Sequence, residues 1–124
     1  MAESKCLDMT NQRIICNSEA LLEKGKGVRF DLPELGERVT AFAVRFNGVA
    51  YAYINQCAHL PVELDWNAGD FFTREQDYLI CATHGAHYEP HTGRCVIGPC
   101  QGKRLRPLVV NEQNGLISIT LDGN

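Results

Sequence analysis

Apolar positions along this chain fall in short runs separated by turn residues, with a period nearer two than 3.6, which predicts strands rather than helices. Residues 40–46 and 49–54 are β-prone, and they flank Asn47-Gly48. Asn-Gly between two such runs supplies the positive φ pair of a tight hairpin turn, so the segment predicts a β-hairpin. A second hairpin is predicted where residues 108–110 and 116–121 flank a turn containing Asn114-Gly115. There Ile117, Ile119 and Leu121 alternate with Ser118 and Thr120, which gives one buried and one wet face. Residues 76–81 enter a loop and residues 93–97 leave it, suggesting a further hairpin across residues 84–92. The one helical signal is residues 18–25, a turn or two with Ser18 as N-cap and Gly25 just past the end. Many short strands with closely spaced turns predict an all-β sandwich or small barrel.

The 124 residues suit a single domain spanning residues 1–124, with no repeat, low-complexity stretch or linker. A hydrophobic share of 44% and a charged share of 22% are those of a globular chain. Twelve Lys and Arg against fifteen Asp and Glu leave a net charge of −3, which argues against nucleic acid as the main partner. No apolar run is long enough for a membrane span. The segment Met1 to Asp8 carries acids where a secretion signal needs a basic flank and an apolar stretch, so the expected location is the cytoplasm. In that compartment thiols stay reduced, and the six cysteines are expected to be metal ligands, reactive groups or small apolar residues.

Cys and His occur together twice, as Cys57-Ala58-His59 and, after 21 intervening residues, as Cys81-Ala82-Thr83-His84. Each pair follows a β-prone segment, so the two should sit on neighbouring loops and offer two thiolates and two imidazoles to one site. Such a set could hold a tetrahedral zinc ion or a two-iron cluster. Zinc is the less natural occupant, because one residue between Cys57 and His59 is tighter than the spacing of zinc knuckles and fingers.

The motif pair resembles that of the Rieske [2Fe–2S] proteins, Cys-x-His followed by Cys-x-x-His. The resemblance extends to His84-Gly85-Ala86-His87-Tyr88, to Thr92-Gly93-Arg94 and to Gly98-Pro99, which look like the second cluster loop, its hairpin turn and the proline loop. It implies a Rieske-type antiparallel β-sandwich with small barrels and a cluster-binding subdomain of two loops. It also implies one [2Fe–2S] cluster per chain, with Cys57 and Cys81 on one iron and His59 and His84 on the other. Tyr88 matches the family's tyrosine that donates to a ligand sulfur, and Pro99 lies in the loop beside the cluster. With two thiolates, such a cluster is neutral when oxidised and carries one negative charge when reduced. Adding an electron is therefore easier than in an all-cysteine cluster.

High-potential members carry a disulfide between the two cluster loops and a serine donating to a bridging sulfide. The matching positions here are Val62, Thr83 and Ala86, so the chain resembles a soluble, low-potential Rieske ferredoxin. The resemblance implies a one-electron carrier, not an enzyme, with a flavin-dependent reductase as donor and a terminal oxygenase or related enzyme as acceptor. No dinucleotide, P-loop or flavin fingerprint is present, so the reductase must be a separate protein. The alternative is an accessory subunit akin to the small subunit of nitrite reductase, whose members commonly lack the ligands present here. His87, Glu89 and His91 have the composition of a mononuclear iron site but read as surface residues. Cys6, Cys16, Cys95 and Cys100 read as free, mostly buried thiols; the last two flank the proline loop, where a bridge between them is the alternative. The basic run 103–106 reads as a solvated strand edge beside that loop, placed where it could steer an acidic redox partner.

Overall fold

The two Asn-Gly turns organise the larger of two antiparallel sheets. The computed structural model describes residues 12–58, 62–65, 67–83 and 85–120. Within these, the chain forms β1 (Gln12–Asn17), β2 (Val28–Asp31), β3 (Thr40–Phe46), β4 (Val49–Ile54), β5 (Leu79–Ile80), β6 (His87–Tyr88), β7 (Cys95–Ile97), β8 (Pro107–Gln113) and β9 (Leu116–Thr120). The fold is all-β with antiparallel pairing, as the sequence predicts. Asn47 and Gly48 have φ of 53° and 82°, and Phe46 pairs directly with Val49. Asn114 and Gly115, at 57° and 75°, do the same between Gln113 and Leu116. Both are two-residue turns with positive φ at each position, matching the twist of the strands they join. Ile117 and Ile119 are buried as expected, while Leu121 lies outside the described residues.

The large sheet has the order β1-β9-β8-β4-β3-β2. Its edges approach each other, and Arg13 on β1 donates from Nη2 to the Asp31 carbonyl on β2 at 2.8 Å, so the sheet nearly closes into a barrel. The β3–β4 hairpin is a wall with both faces buried. Ala41, Ala43, Ala50, Ala52 and Ile54 face the barrel core with Leu32, Ile117 and Ile119. Phe42, Val44 and Tyr53 face a second core shared with Leu64, Phe71, Leu79, Tyr88 and Leu105. Small residues thus line one face and large ones the other. Phe42 stacks on Phe71 with ring centroids 3.9 Å apart.

Two expectations are corrected. Of the turn or two expected over residues 18–25 only one forms, and Ser18 does not cap it. A single 3-10 turn spans Ser18–Ala20, its N-cap position is Asn17, and Gly25 plays no part in ending it. The reason is Arg45, whose Nε and Nη2 donate to the carbonyls of Leu21 at 2.8 Å and Ser18 at 3.2 Å, drawing this backbone onto β3. The hairpin expected across residues 84–92 is instead a three-stranded meander, β5-β6-β7, with β6 between the two strands expected to pair. The two-residue β6 is too short to show a period in sequence, and burial of Tyr88 holds it in place.

Candidate metal centre

The small sheet and two loops build the site against the second core. The first loop leaves β4 at Asn55, which is buried and bridges the loop by its side chain. Asn55 Oδ1 accepts Leu64 N–H at 2.9 Å, and its Nδ2 donates to Asp65 Oδ1 at 3.1 Å. Asp65 Oδ2 in turn accepts Gly69 N–H at 2.9 Å and lies 3.5 Å from Arg29 on β2. A buried carboxylate with this many donors is satisfied, so the network clamps the loop rather than destabilising it. Cys57 N–H donates to the Val62 carbonyl at 2.8 Å, which turns the chain back on itself immediately after the strand.

The second loop leaves β5. Cys81 N–H donates to the Ala86 carbonyl at 2.9 Å and Gly85 N–H to the Cys81 carbonyl at 2.7 Å. Ala82 N–H donates to the Leu64 carbonyl at 2.9 Å and joins the two loops directly. Cys57 and Cys81 are both buried. The expected ligands His59 and His84 lie outside the described residues. Among the described residues, no group of three or more His, Cys, Asp or Glu comes together as a metal site. His87, Glu89 and His91 accordingly do not form one. His87 Nδ1 pairs with the Gly85 carbonyl at 2.7 Å, and Glu89 accepts the Thr92 hydroxyl at 2.8 Å.

Tyr88 is fully buried and aims its hydroxyl at the first loop. The oxygen accepts Ala58 N–H at 2.9 Å and lies 3.3 Å from Cys57 Sγ. It is also 3.3 Å from Cys100 Sγ. Burial, reinforced by the contacts with Cys100 and Cys57, holds the phenol well above its ordinary value, so it remains a hydroxyl at neutral pH. Cys100 donates to Cys95 Sγ at 3.1 Å, and Cys95 donates to the Ile97 carbonyl at 3.3 Å. Cys16, Cys95 and Cys100 are unbridged, as expected, while Cys6 lies outside the described residues.

Glycine is required at two points here. A Cβ on Gly93, at φ 77°, would come 2.7 Å from the Tyr53 ring, whose hydroxyl donates to the Pro90 carbonyl at 2.7 Å. A Cβ on Gly98, at φ 110°, would come 2.9 Å from Ala86 Cα, so the loop at Gly98 and Pro99 lies directly on the second loop. Pro99 itself is exposed, as are Lys103, Arg104 and Arg106, while Leu105 between them is buried. Two contributions escaped the sequence reading. The Asn55–Asp65 clamp gives no signal, because polar residues ten positions apart look like loop residues. Cys100 was visible as a thiol beside the proline loop, but its contact with Tyr88 was not.

Two thiols on loops tied together, one of them facing a buried hydroxyl donor, are a donor set suited to a thiolate-bound metal. A family model of the Rieske [2Fe-2S] domain matches residues 11–115. Comparison with curated proteins returns no match. Among solved structures, the ferredoxin of carbazole 1,9a-dioxygenase from Nocardioides aromaticivorans IC177 is 21% identical, with a TM-score of 0.70 over 90% of this chain and 99% of that one. A chain in the complex of reduced oxygenase and oxidized ferredoxin in carbazole 1,9a-dioxygenase is 19% identical, with a TM-score of 0.73 over 92% of this chain and 96% of that one. A chain in the reduced complex between the same two kinds of component is 23% identical with a TM-score of 0.71; the match covers 92% of this chain but only 29% of that one. At such identities the likeness is one of fold. The match across residues 11–115 goes further: the chain belongs to the Rieske [2Fe-2S] domain family, whose cofactor is a Rieske-type [2Fe–2S] cluster.

Proposed function

We propose that the chain is a single Rieske domain over residues 1–124 acting as a one-electron carrier. Cys57 and Cys81 would bind one iron of the cluster, and His59 and His84 the other. When bound, the cluster supplies the site through which an electron enters and leaves. The protein's own residues do the rest. The Asn55–Asp65 clamp and the Ala82–Leu64 backbone bond keep the two ligand loops in one arrangement, which limits rearrangement on electron exchange. Tyr88 holds a proton at its hydroxyl beside Cys57 Sγ, and a donor there favours added negative charge on that sulfur. Pro99 would lie beside the cluster at the exposed tip of its loop.

A flavin-dependent reductase is the proposed donor and a terminal oxygenase the proposed acceptor. The fold's likeness to chains in oxygenase–ferredoxin complexes of carbazole 1,9a-dioxygenase supports that choice of acceptor. Among the described residues no helix is long and apolar enough to cross a membrane, and the proposed location is the cytoplasm. The observation that carries the reading is the buried Tyr88 hydroxyl 3.3 Å from Cys57 Sγ in a chain matching the Rieske family. Elemental analysis and EPR of the reduced protein test it. Two iron and two acid-labile sulfide per chain with a Rieske signal are expected, and stoichiometric zinc without sulfide would overturn it.

A further inference from the structure

The Tyr88 hydroxyl has one proton and two sulfurs within reach. Ala58 N–H already donates to its oxygen, and Cys57 Sγ and Cys100 Sγ both lie 3.3 Å away. As an iron ligand, Cys57 is a thiolate and only accepts. What Cys100 does depends on its own proton. Cys95 donates to the Ile97 carbonyl at 3.3 Å, which leaves the Cys95 sulfur as an acceptor for the Cys100 thiol at 3.1 Å. The Cys100 proton therefore points away from Tyr88, and its lone pair faces the phenol. Tyr88, Cys100 and Cys95 are 0%, 2% and 1% exposed, so water does not compete. Backbone bonds set the two thiols. Cys95 N–H donates to the Lys103 carbonyl at 2.7 Å, and Lys103 N–H to the Cys100 carbonyl at 2.9 Å. Burial and the bond from Cys100 push the Cys95 thiol up to about 11, so at neutral pH it keeps the proton it gives to Ile97.

We propose that Cys100 is a positioning residue that draws part of the Tyr88 proton away from Cys57 and thereby lowers the reduction potential of the cluster. The inference rests on the carrier reading above. A hydrogen bond to a ligand sulfur is stronger when the cluster is reduced, because the added electron makes the sulfur more negative. A competing acceptor therefore weakens the bond most in the reduced state. Cys95 acts one step further away by fixing the direction of the Cys100 proton.

Protein-film voltammetry on Cys100→Ala and Cys100→Val, each alone and combined with Tyr88→Phe, tests the proposal. Valine fills the volume of the thiol without an acceptor, which guards against a cavity effect in the alanine variant. Each single variant is expected to raise the reduced-to-oxidised ratio at fixed ambient potential about fivefold, an upward shift of about 40 mV for a one-electron couple. In the Tyr88→Phe background the same substitution should change the ratio by less than about twofold. Cys100→Ser, which restores an acceptor, should bring the potential back toward that of the unsubstituted protein. A fall, no change, or an equal rise in the Tyr88→Phe background would overturn the role of Cys100. Iron and sulfide analysis of the unsubstituted protein separates the two readings. A loaded cluster with no Tyr88-dependent shift refutes this inference alone, and absence of iron and sulfide refutes both.

Discussion

Ala86 is fully buried and accepts Cys81 N–H at its carbonyl at 2.9 Å, which places it at the base of the loop after β5. Gly98 packs against it so closely that a Cβ there would come 2.9 Å from Ala86 Cα and 3.4 Å from its methyl. A hydroxyl added here should find a cluster sulfur and favour the reduced state. If the difference between states is about 1 kcal/mol, a typical net hydrogen bond, Ala86→Ser raises the potential by about 40 mV. Voltammetry of this variant checks the prediction, and an unchanged or lower value would show that the hydroxyl does not reach the cluster. At this scale the two Cys/His pairs were legible as a motif, because such residue types seldom fall so close by chance, and the structure brings Cys57 and Cys81 onto joined loops. Tyr88 was legible only through the family resemblance. The Asn55–Asp65 clamp and the contact of Cys100 with Tyr88 were not, since both depend on how loops fold over each other.

At the scale of elements, turn chemistry was the most dependable signal. Both Asn-Gly hairpins form with the register their turns impose, because positive φ at two successive residues is cheap only for such pairs. The helical turn at residues 18–20 is shorter than its sequence pattern suggests, and Arg45 shows why. Besides the Ser18 and Leu21 carbonyls, its guanidinium grips the Glu112 carboxylate of β8 by two bonds of 3.0 Å and 2.8 Å. That bond, then one to Ser18, holds the Glu112 carboxyl below its ordinary value of 4.5. A carboxyl lowered on folding contributes stability that is present above its ordinary value and lost as pH falls through the folded value. Acid titration of the unsubstituted protein should therefore show a loss of stability below pH 4.5. In Glu112→Gln that component should be absent, with about 0.5–1 kcal/mol less stability near neutral pH, the range of a partly exposed pair. Urea melts from pH 3 to 7 measure it, and equal acid slopes in the two proteins would contradict the assignment.

On the scale of the whole molecule, the β3–β4 hairpin belongs to two cores at once. Phe42 and Ile119 lie on opposite sides of this wall, in the metal-site core and the barrel core. Losing either side leaves a buried face of the same two strands without its packing, so the two cores should unfold together. Phe42→Ala should cost about 3–5 kcal/mol and Ile119→Ala about 2–5 kcal/mol. In each variant, far-UV and near-UV circular dichroism should report one coincident, lowered thermal transition, and two separated transitions would show that the cores are independent. The amino-acid sequence by itself determined the strand-rich class, the two tight hairpins and the Cys/His pattern that marks the family. Each of these rests on local chemistry, whether a turn dihedral, a period of two or ligand spacing. Only the tertiary structure decided that the apolar run 41–44 has two buried faces, because a hydrophobic strand reads the same whatever packs on it. Only the tertiary structure inserted β6 between β5 and β7, joined Asn55 to Asp65 and set Cys100 against Tyr88. Those arrangements are contacts between residues distant along the chain, selected by the burial of whole faces rather than by any neighbouring residue.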